Sequence, residues 1–383
     1  MEILMLPRIK ILFTLILGFL ACSTAQEINT TRTERAIGTR QYIWEDSSRI
    51  DAHYGGSRIL NIQIWYPADS LSGNSGLTPY LLFEDQLVNR LNGWNAADFR
   101  SLKRVKTASF INAIPAVSAK TPLLIFSPSL GGNLSFYTYY AERFAREGYI
   151  VMGVNHRYDS EVVIDRESVV HQANHSFYDS LKALEIPQQI TAEGYRKAMG
   201  QRQLILAEDL LFALNKLLKE ALFQNIIDNK QIGVFGHSIG GAAAIYTSLL
   251  DTRIRAVIDL DGTPPSEALD KGIGVPFLFI EDLTDYRNHE GYAKMHRRRS
   301  EFCERNSADS WRILIDGINH NSFLDIDFYM SEDSEVIRTS HQSLESISSN
   351  MIRFFDFNLR GAKDLNFEKP AHTNCEIIHF QKN

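Results

Sequence analysis

The sequence predicts an α/β fold, a mostly parallel sheet with helices on both faces, and three observations carry that prediction. Short apolar runs rich in β-formers recur from Pro122 onward, and stretches with apolar residues at helical spacing alternate with them. The segment Gly236-His237-Ser238-Ile239-Gly240 lies between one such strand, Gln231 to Phe235, and a helix, Ala242 to Leu250. The 383 residues are 44% hydrophobic and 22% charged, enough to bury a sizeable core. A net charge of -6 excludes any general attraction to nucleic acid, whose polyanion such a surface repels.

Residues 1–25 read as an export signal rather than as structure. Arg8 and Lys10 make a basic lead, Ile11 to Leu20 an apolar stretch too short to span a bilayer comfortably, and Ser23-Thr24-Ala25 a small-residue cleavage site. Leu20-Ala21-Cys22 resembles part of a bacterial lipoprotein signal, with Phe19 where Leu is usual, which would lipidate Cys22. The expectation is a protein that is secreted, periplasmic or lipid-anchored at the envelope. Cys303 and Cys375 then sit in an oxidising compartment, where a disulfide and two free thiols are both open.

Residues 26–383 read as a single domain with insertions at about 69–120 and 159–192. Gln41 to Glu45 and Leu60 to Tyr66 alternate apolar with polar residues and predict antiparallel strands opening the sheet. From Asp69 to Lys120 apolar residues such as Tyr80, Leu81, Leu87, Trp94 and Phe99 lack periodicity, which predicts short helices over the sheet edge, or a cap. Pro122 to Phe126 is a buried strand, then a tight turn, then a helix from Phe136 to Glu147 with Gly148 as its cap. Tyr149 to Val154 is the next strand. The polar stretch from Asp159 to Ala192 is long for a strand-to-helix connection and reads as a lid. Tyr195 to Ala221 is a long amphipathic helix, followed by the elbow. Arg255 to Leu260, Val275 to Ile280 and Arg312 to Ile315 are buried strands, and a last helix runs from Glu335 to Leu359.

A serine in the hairpin between strand and helix takes a strained backbone, tolerable only where its neighbours lack bulk. Gly236 and Gly240 meet that need, so Ser238 reads as a nucleophile on an exposed elbow. A serine hydroxyl is a poor nucleophile at neutral pH and needs a base held by a carboxylate, in the chain order serine, acid, histidine. His320, in the loop directly after the last strand, is the candidate base among the 11 histidines. For the acid, position alone leaves Asp261 open against Asp282 and Asp285, which follow the next strand. An oxyanion needs two backbone donors: the amide of Ile239 at the helix N-terminus, and that of Leu130 in the turn Ser129-Leu130-Gly131-Gly132.

Five blocks then follow in order. They are Phe126 to Gly132; Glu147-Gly148-Tyr149-Ile150-Val151 with Asn155-His156-Arg157; Gly236 to Gly241; Ile258 to Gly262; and Gly317-Ile318-Asn319-His320. From about Ile59 to Gly361 the chain resembles the plasma-type platelet-activating-factor acetylhydrolase family. The resemblance implies an α/β-hydrolase fold and a calcium-independent, phospholipase A2 type activity on short or oxidised sn-2 acyl groups. It also implies Ser238, Asp261 and His320 as the triad, and the Leu130 and Ile239 amides as the oxyanion hole. Two departures stand out. The family usually reads Ser-His-Gly-Leu-Gly where this chain has Ser127-Pro128-Ser129-Leu130-Gly131, and Gly262-Thr263-Pro264-Pro265 replaces bulky apolar residues after the acid. Pocket shape and membrane docking are therefore not carried over.

His171-Gln172-Ala173-Asn174-His175 has the spacing of a zinc helix but lacks the general-base Glu, so no metal and no cofactor are expected. His296-Arg297-Arg298-Arg299 reads as a solvated helix face rather than an anion grip. The expected function is a serine ester hydrolase acting through an acyl-enzyme on a small-molecule or lipid ester, with peripheral membrane contact open. The alternatives are a general short-chain esterase or polyester hydrolase, and a non-catalytic binding protein of the same fold.

Overall fold

The computed structural model describes residues 35–70, 76–84, 101–116, 120–185, 192–284, 290–370 and 373–382. The chain divides into two units, Met1–Glu34 and Arg35–Asn383, and the described residues all lie in the second. The leader, Cys22 and Asp285 lie outside the described residues, as do Leu87, Trp94 and Phe99.

Two long antiparallel strands come first, β1 (Ala36–Ile50) and β2 (Ser57–Ser70), in register from Ala36 opposite Ala68 to Asp46 opposite Arg58. Part of the region predicted as short helices or a cap instead extends the sheet: β3 (Ser109–Ile111) pairs with β1, and β4 (Ile114–Pro115) with β2. These strands are too short for a period of two to show, which is why the sequence hides them.

Next come β5 (Thr121–Ser127), a 3₁₀ turn (Leu134–Tyr137), α1 (Thr138–Arg146) and β6 (Ile150–His156). The predicted lid opens as a hairpin of β7 (Val162–Ile164) and β8 (Val170–Gln172), followed by α2 (Ser176–Glu185). Then follow α3 (Ala192–Leu217), β9 (Ile227–His237), α4 (Ile239–Leu250), β10 (Ile254–Leu260), α5 (Ser266–Lys271) and β11 (Phe277–Asp282). The chain closes with α6 (Glu290–Arg305), β12 (Ser310–Ile315), a 3₁₀ turn (His320–Phe323), α7 (Ile326–Met330), α8 (Ser334–Arg360) and β13 (Cys375–Phe380). The sequence reading assigns nothing beyond Leu359, yet β13 adds an antiparallel strand to β12.

The strand order is β13-β12-β11-β10-β9-β5-β6-β2-β1-β3, and β6, β5, β9, β10, β11 and β12 run parallel. The order reverses at β5, because the chain leaves it for β6 on one side and later returns to β9 on the other. In a sheet of this kind the crevice at the carboxyl ends of the strands flanking such a reversal is where ligands bind. Ser127 ends β5 and His237 ends β9, so that crevice opens beside Ser238.

Alternation along the strands divides the core in two. Leu124, Phe126 and Phe235 face one side and pack with α1 and α8; Leu123, Ile125, Ile232 and Val234 face the other and pack with α3 and α4. On the first side Phe355 of α8 is fully buried, its ring 5.8 Å from Phe144 and 6.3 Å from Phe235. A Cβ on Gly233 would come within 2.5 Å of it, so the glycine makes its room. Both cysteines are free, Cys303 buried and Cys375 partly so. Phe355→Ala is expected to cost about 3–5 kcal/mol of stability in urea unfolding, because the ring leaves a cavity that close-packed aromatic neighbours cannot fill.

Candidate active site

Ser238 has φ 58° and ψ -119°, a left-handed backbone that a side-chain-bearing residue adopts only under constraint. The constraint is backbone contact. A Cβ on Gly236 would sit 2.1 Å from the Gly240 carbonyl oxygen, and one on Gly240 would sit 2.2 Å from that of Ser127. Glycine at both positions lets α4 cross β9 closely and press its first turn onto the end of β5. The Ser238 amide donates to Leu260 O at 2.9 Å, fixing the elbow against β10. Ile239 is the first residue of α4, so its amide is one of the helix N–H groups without an intrahelical acceptor.

His320 begins a 3₁₀ turn held by a capping box between Asn319 and Ser322. Its Nδ1 lies 2.6 Å from Asp261 Oδ2, and its ring centroid 4.6 Å from that of His237, the residue before Ser238. Asp261 follows β10 directly, also with positive φ (51°). Burial alone would raise its carboxyl, but Arg299 and the hydrogen bond from His320 outweigh burial and hold it down to about 2. Arg299 Nη1 lies 3.0 Å from Asp261 and 2.9 Å from Glu281, which Arg312 grips in turn at 2.6 and 2.7 Å. The run predicted as a solvated face therefore divides. Arg299 is buried behind the site, and His296 Nδ1 takes a 3.0 Å contact from Arg312, while Arg297 is exposed. Guanidinium groups reaching carboxylates from another element leave no mark in sequence spacing.

Of the alternative acids, Asp282 caps its own turn, accepting from the Thr284 amide at 2.7 Å, and Asp285 lies outside the described residues. On the opposite side of the crevice, the loop after β5 is tied down at Ser129, Gly131 and Gly132. The Ser129 amide donates to the Tyr137 hydroxyl at 3.2 Å, that of Gly131 to Asp159 O at 2.7 Å, and that of Gly132 to Ser129 O at 2.9 Å. The Leu130 amide is used in none of these bonds. Pro128-Ser129, the departure from the usual family pattern, has its own support. The Tyr137 hydroxyl lies 3.0 Å from Ser129 Oγ and 2.8 Å from His237 Nδ1, so one phenol joins this loop to the elbow. Burial, and then the charge of His320, lower the pKa of His237, keeping that ring neutral.

The two histidines at zinc spacing diverge. His171 Nε2 pairs with Asp165 at 2.9 Å, while the His175 ring faces Gly131 of the β5 loop. Among the described residues no three His, Cys, Asp or Glu side chains are grouped to hold a metal.

A mostly parallel sheet with a glycine-flanked serine elbow at its carboxyl edge, and a histidine–aspartate pair beside it, define an α/β-hydrolase. The solved structure of a ferulic acid esterase from Streptomyces cinnamoneus shares the fold, with a TM-score of 0.71 and 24% identity over 91% of this chain and 97% of that one. The family profile described as platelet-activating factor acetylhydrolase, isoform II, matches residues 58–349, and the chain belongs to that family. A probable 1-alkyl-2-acetylglycerophosphocholine esterase of Arthroderma benhamiae is 24% identical over 67% of this chain and 65% of its own length. The platelet-activating factor acetylhydrolase of Gallus gallus is 26% identical over 58% and 56%. The chain thus spans little more than half to just under two thirds of the relatives it matches.

Behind His320, Asp325 joins this loop to α1. Its amide donates to Phe136 O at 2.8 Å, its Oδ2 accepts from the Tyr139 amide at 2.8 Å, and its Oδ1 takes the Tyr80 hydroxyl. Burial pushes the carboxyl up to about 7, against the pull of these hydrogen bonds. An unfolded aspartate titrates near 4, so between about pH 4 and 7 the folded state binds a proton that the unfolded chain lacks. This group's contribution to stability therefore falls as pH rises through that window and is level above it. Asp325→Asn is expected to flatten the dependence of urea midpoints on pH over that range; an unchanged slope would place its origin elsewhere.

Proposed function

We propose that the protein is a carboxylic ester hydrolase working through an acyl-enzyme on Ser238. The observation that carries the reading is the 2.6 Å contact of His320 Nδ1 with Asp261 Oδ2, at the sheet edge where the elbow holds Ser238. An ionised carboxylate accepts only, so Nδ1 carries the proton and Nε2 is the basic nitrogen. As Ser238 Oγ bonds to the ester carbonyl carbon, its proton passes to Nε2 and the carbonyl electron pair moves onto oxygen. The Leu130 and Ile239 amides receive that oxyanion. Collapse re-forms the carbonyl, breaks the bond to the alcohol and returns the proton from His320 to the leaving oxygen. Water repeats the sequence to release the acid. Asp261 keeps the ring in the productive tautomer and offsets its positive charge, while Arg299 keeps Asp261 ionised.

The family supports a short or oxidised sn-2 acyl phospholipid as substrate. Gly262-Thr263-Pro264-Pro265 after the acid favours instead a general short-chain or polyester esterase, because the bulky apolar residues expected there are missing. A series of esters differing in acyl length and leaving alcohol separates the two. The leader-like residues 1–25 support export, and among the described residues no helix is long and apolar enough to cross a membrane.

Ser238→Ala is expected to abolish labelling by a fluorophosphonate and to lower ester turnover by on the order of 10⁴ to 10⁶. Turnover within tenfold of the parent would move the nucleophile to another residue. Asp261→Asn should lower kcat by about 10⁴ with binding little changed, because an amide favours the wrong imidazole tautomer. Asp282→Asn, measured in the same assay, should cost little, since Asp261 and not Asp282 meets the His320 ring.

A further inference from the structure

The same sheet edge holds a second serine–histidine–aspartate chain, from residues that the mechanism above does not use. Ser127 and His156 end the adjacent parallel strands β5 and β6. Ser127 Oγ lies 3.0 Å from His156 Nε2, and His156 Nδ1 lies 2.9 Å from Asp209 Oδ2 on α3. Asp209 also accepts from Arg58 Nη2 at 2.6 Å and from Arg49 Nη2 at 2.8 Å. Burial would raise the Asp209 carboxyl, but Arg58 and the hydrogen bond from His156 together outweigh burial and hold it well below the usual carboxylate range. An ionised Asp209 only accepts, so His156 donates from Nδ1, which leaves Nε2 to pair with the Ser127 hydroxyl. The connectivity is that of a triad, yet Ser127 and Asp209 are fully buried and His156 is 1% exposed. With Ser127 fully buried, no ester reaches this hydroxyl.

What the chain does touch is the β5 loop. Ser127 is its first residue, three before Leu130. His156 begins the facing loop, whose Ser160 closes back on it, Oγ accepting from the His156 amide at 2.8 Å. From that loop Asp159 O accepts the Gly131 amide at 2.7 Å, and the Glu161 amide donates to Gly132 O at 2.9 Å. Arg202 holds the Asp159 carboxylate through Nε at 2.7 Å and reaches Asp51 at 2.7 Å, and Asp51 returns to Arg58 at 2.6 Å. The β5 loop is thus fixed before and after Leu130 by one closed, buried network.

We propose that Ser127, His156 and Asp209 are positioning residues for the oxyanion hole, a buried hydrogen-bonded chain that aims the Leu130 amide before substrate arrives. The inference rests on the reading of Leu130 as an oxyanion donor. In a low-dielectric interior such a chain is stiff, and an unpaired member is costly, so the loop has little freedom to turn its amide away.

The test uses Ser127→Ala, which removes the hydroxyl, and Ser127→Cys, which keeps nearly its volume but hydrogen-bonds weakly. Kinetics on a short-chain nitrophenyl ester are compared with affinity for a trifluoromethyl ketone, whose adduct with Ser238 places an oxyanion in the hole. Both variants should lower kcat by roughly 10- to 100-fold while KM changes little, because a misdirected donor is felt mainly in the transition state. Ketone affinity should fall by the same factor. Combining Ser127→Ala with His156→Gln should cost no more than His156→Gln alone, as expected of groups acting as a unit. A folded Ser127 variant with kcat and ketone affinity within about twofold of the parent overturns the inference. So does a loss of kcat without loss of ketone affinity, or failure of both Ser127 variants to show a cooperative unfolding transition, either of which makes Ser127 a stability residue. A parent protein that neither hydrolyses the ester nor forms the adduct overturns the reading of Ser238 itself.

Discussion

The close crossing of β9, α4 and the end of β5 is the contact on which the rest of the site depends. No side chain fits at Gly236 or Gly240, and with none there, backbone meets backbone. That contact does three things at once. It forces Ser238 into its left-handed conformation, it points the first amides of α4 into the crevice, and it sets the β5 loop against them. Ser238, Ile239 and the β5 loop that carries Leu130 are therefore one packed unit, built at the reversal of strand order at β5.

Around that unit the protein places charge out of water in two clusters, and the balance of terms is the same in both. Desolvation is the largest influence on Asp261 and on Asp209, and by itself would neutralise each carboxyl. Arginine at hydrogen-bond distance reverses the outcome, Arg299 for Asp261 and Arg58 for Asp209. Asp259 and Asp325 show the opposite case. Asp259 lies two residues before Asp261 on the same strand, receives only the Gly262 amide at 2.7 Å, and burial lifts its carboxyl well above the ordinary range. The two carboxyls held low, Asp261 and Asp209, are ones that an arginine and a histidine both meet at hydrogen-bond distance.

At Pro128-Ser129, where the sequence departs from the usual family pattern, the loop is held by side-chain contacts of its own. A side chain at Ser129 would be surplus if the turn were held by backbone alone. Here its Oγ meets the Tyr137 hydroxyl, which also meets the ring beside the nucleophile. Proline at 128 removes a donor and narrows φ, which stiffens the same turn.

The sequence by itself determined the α/β class, the elbow at Ser238, the loop position of His320 and the turn carrying Leu130, because each is a local pattern: a period, a glycine spacing, a place after a strand. Most of the long strands and helices were legible for the same reason. Short strands such as β3 and β4, and the terminal β13, were not, since their pairing lies across the sheet and too few residues record it. The acid was open between two loops on position alone, and the fold decided the geometry by bringing Asp261 to His320 while Asp282 turned to its own backbone. Arg299, Tyr137, His156 and Asp209 gave no functional signal in the chain. Each acts on a residue 29 to 100 positions away, from Ser127 with His156 at 29 to Tyr137 with His237 at 100, and such separations are bridged only by folding. Coulomb attraction and hydrogen bonding depend on distance in space, and only the tertiary structure sets that distance.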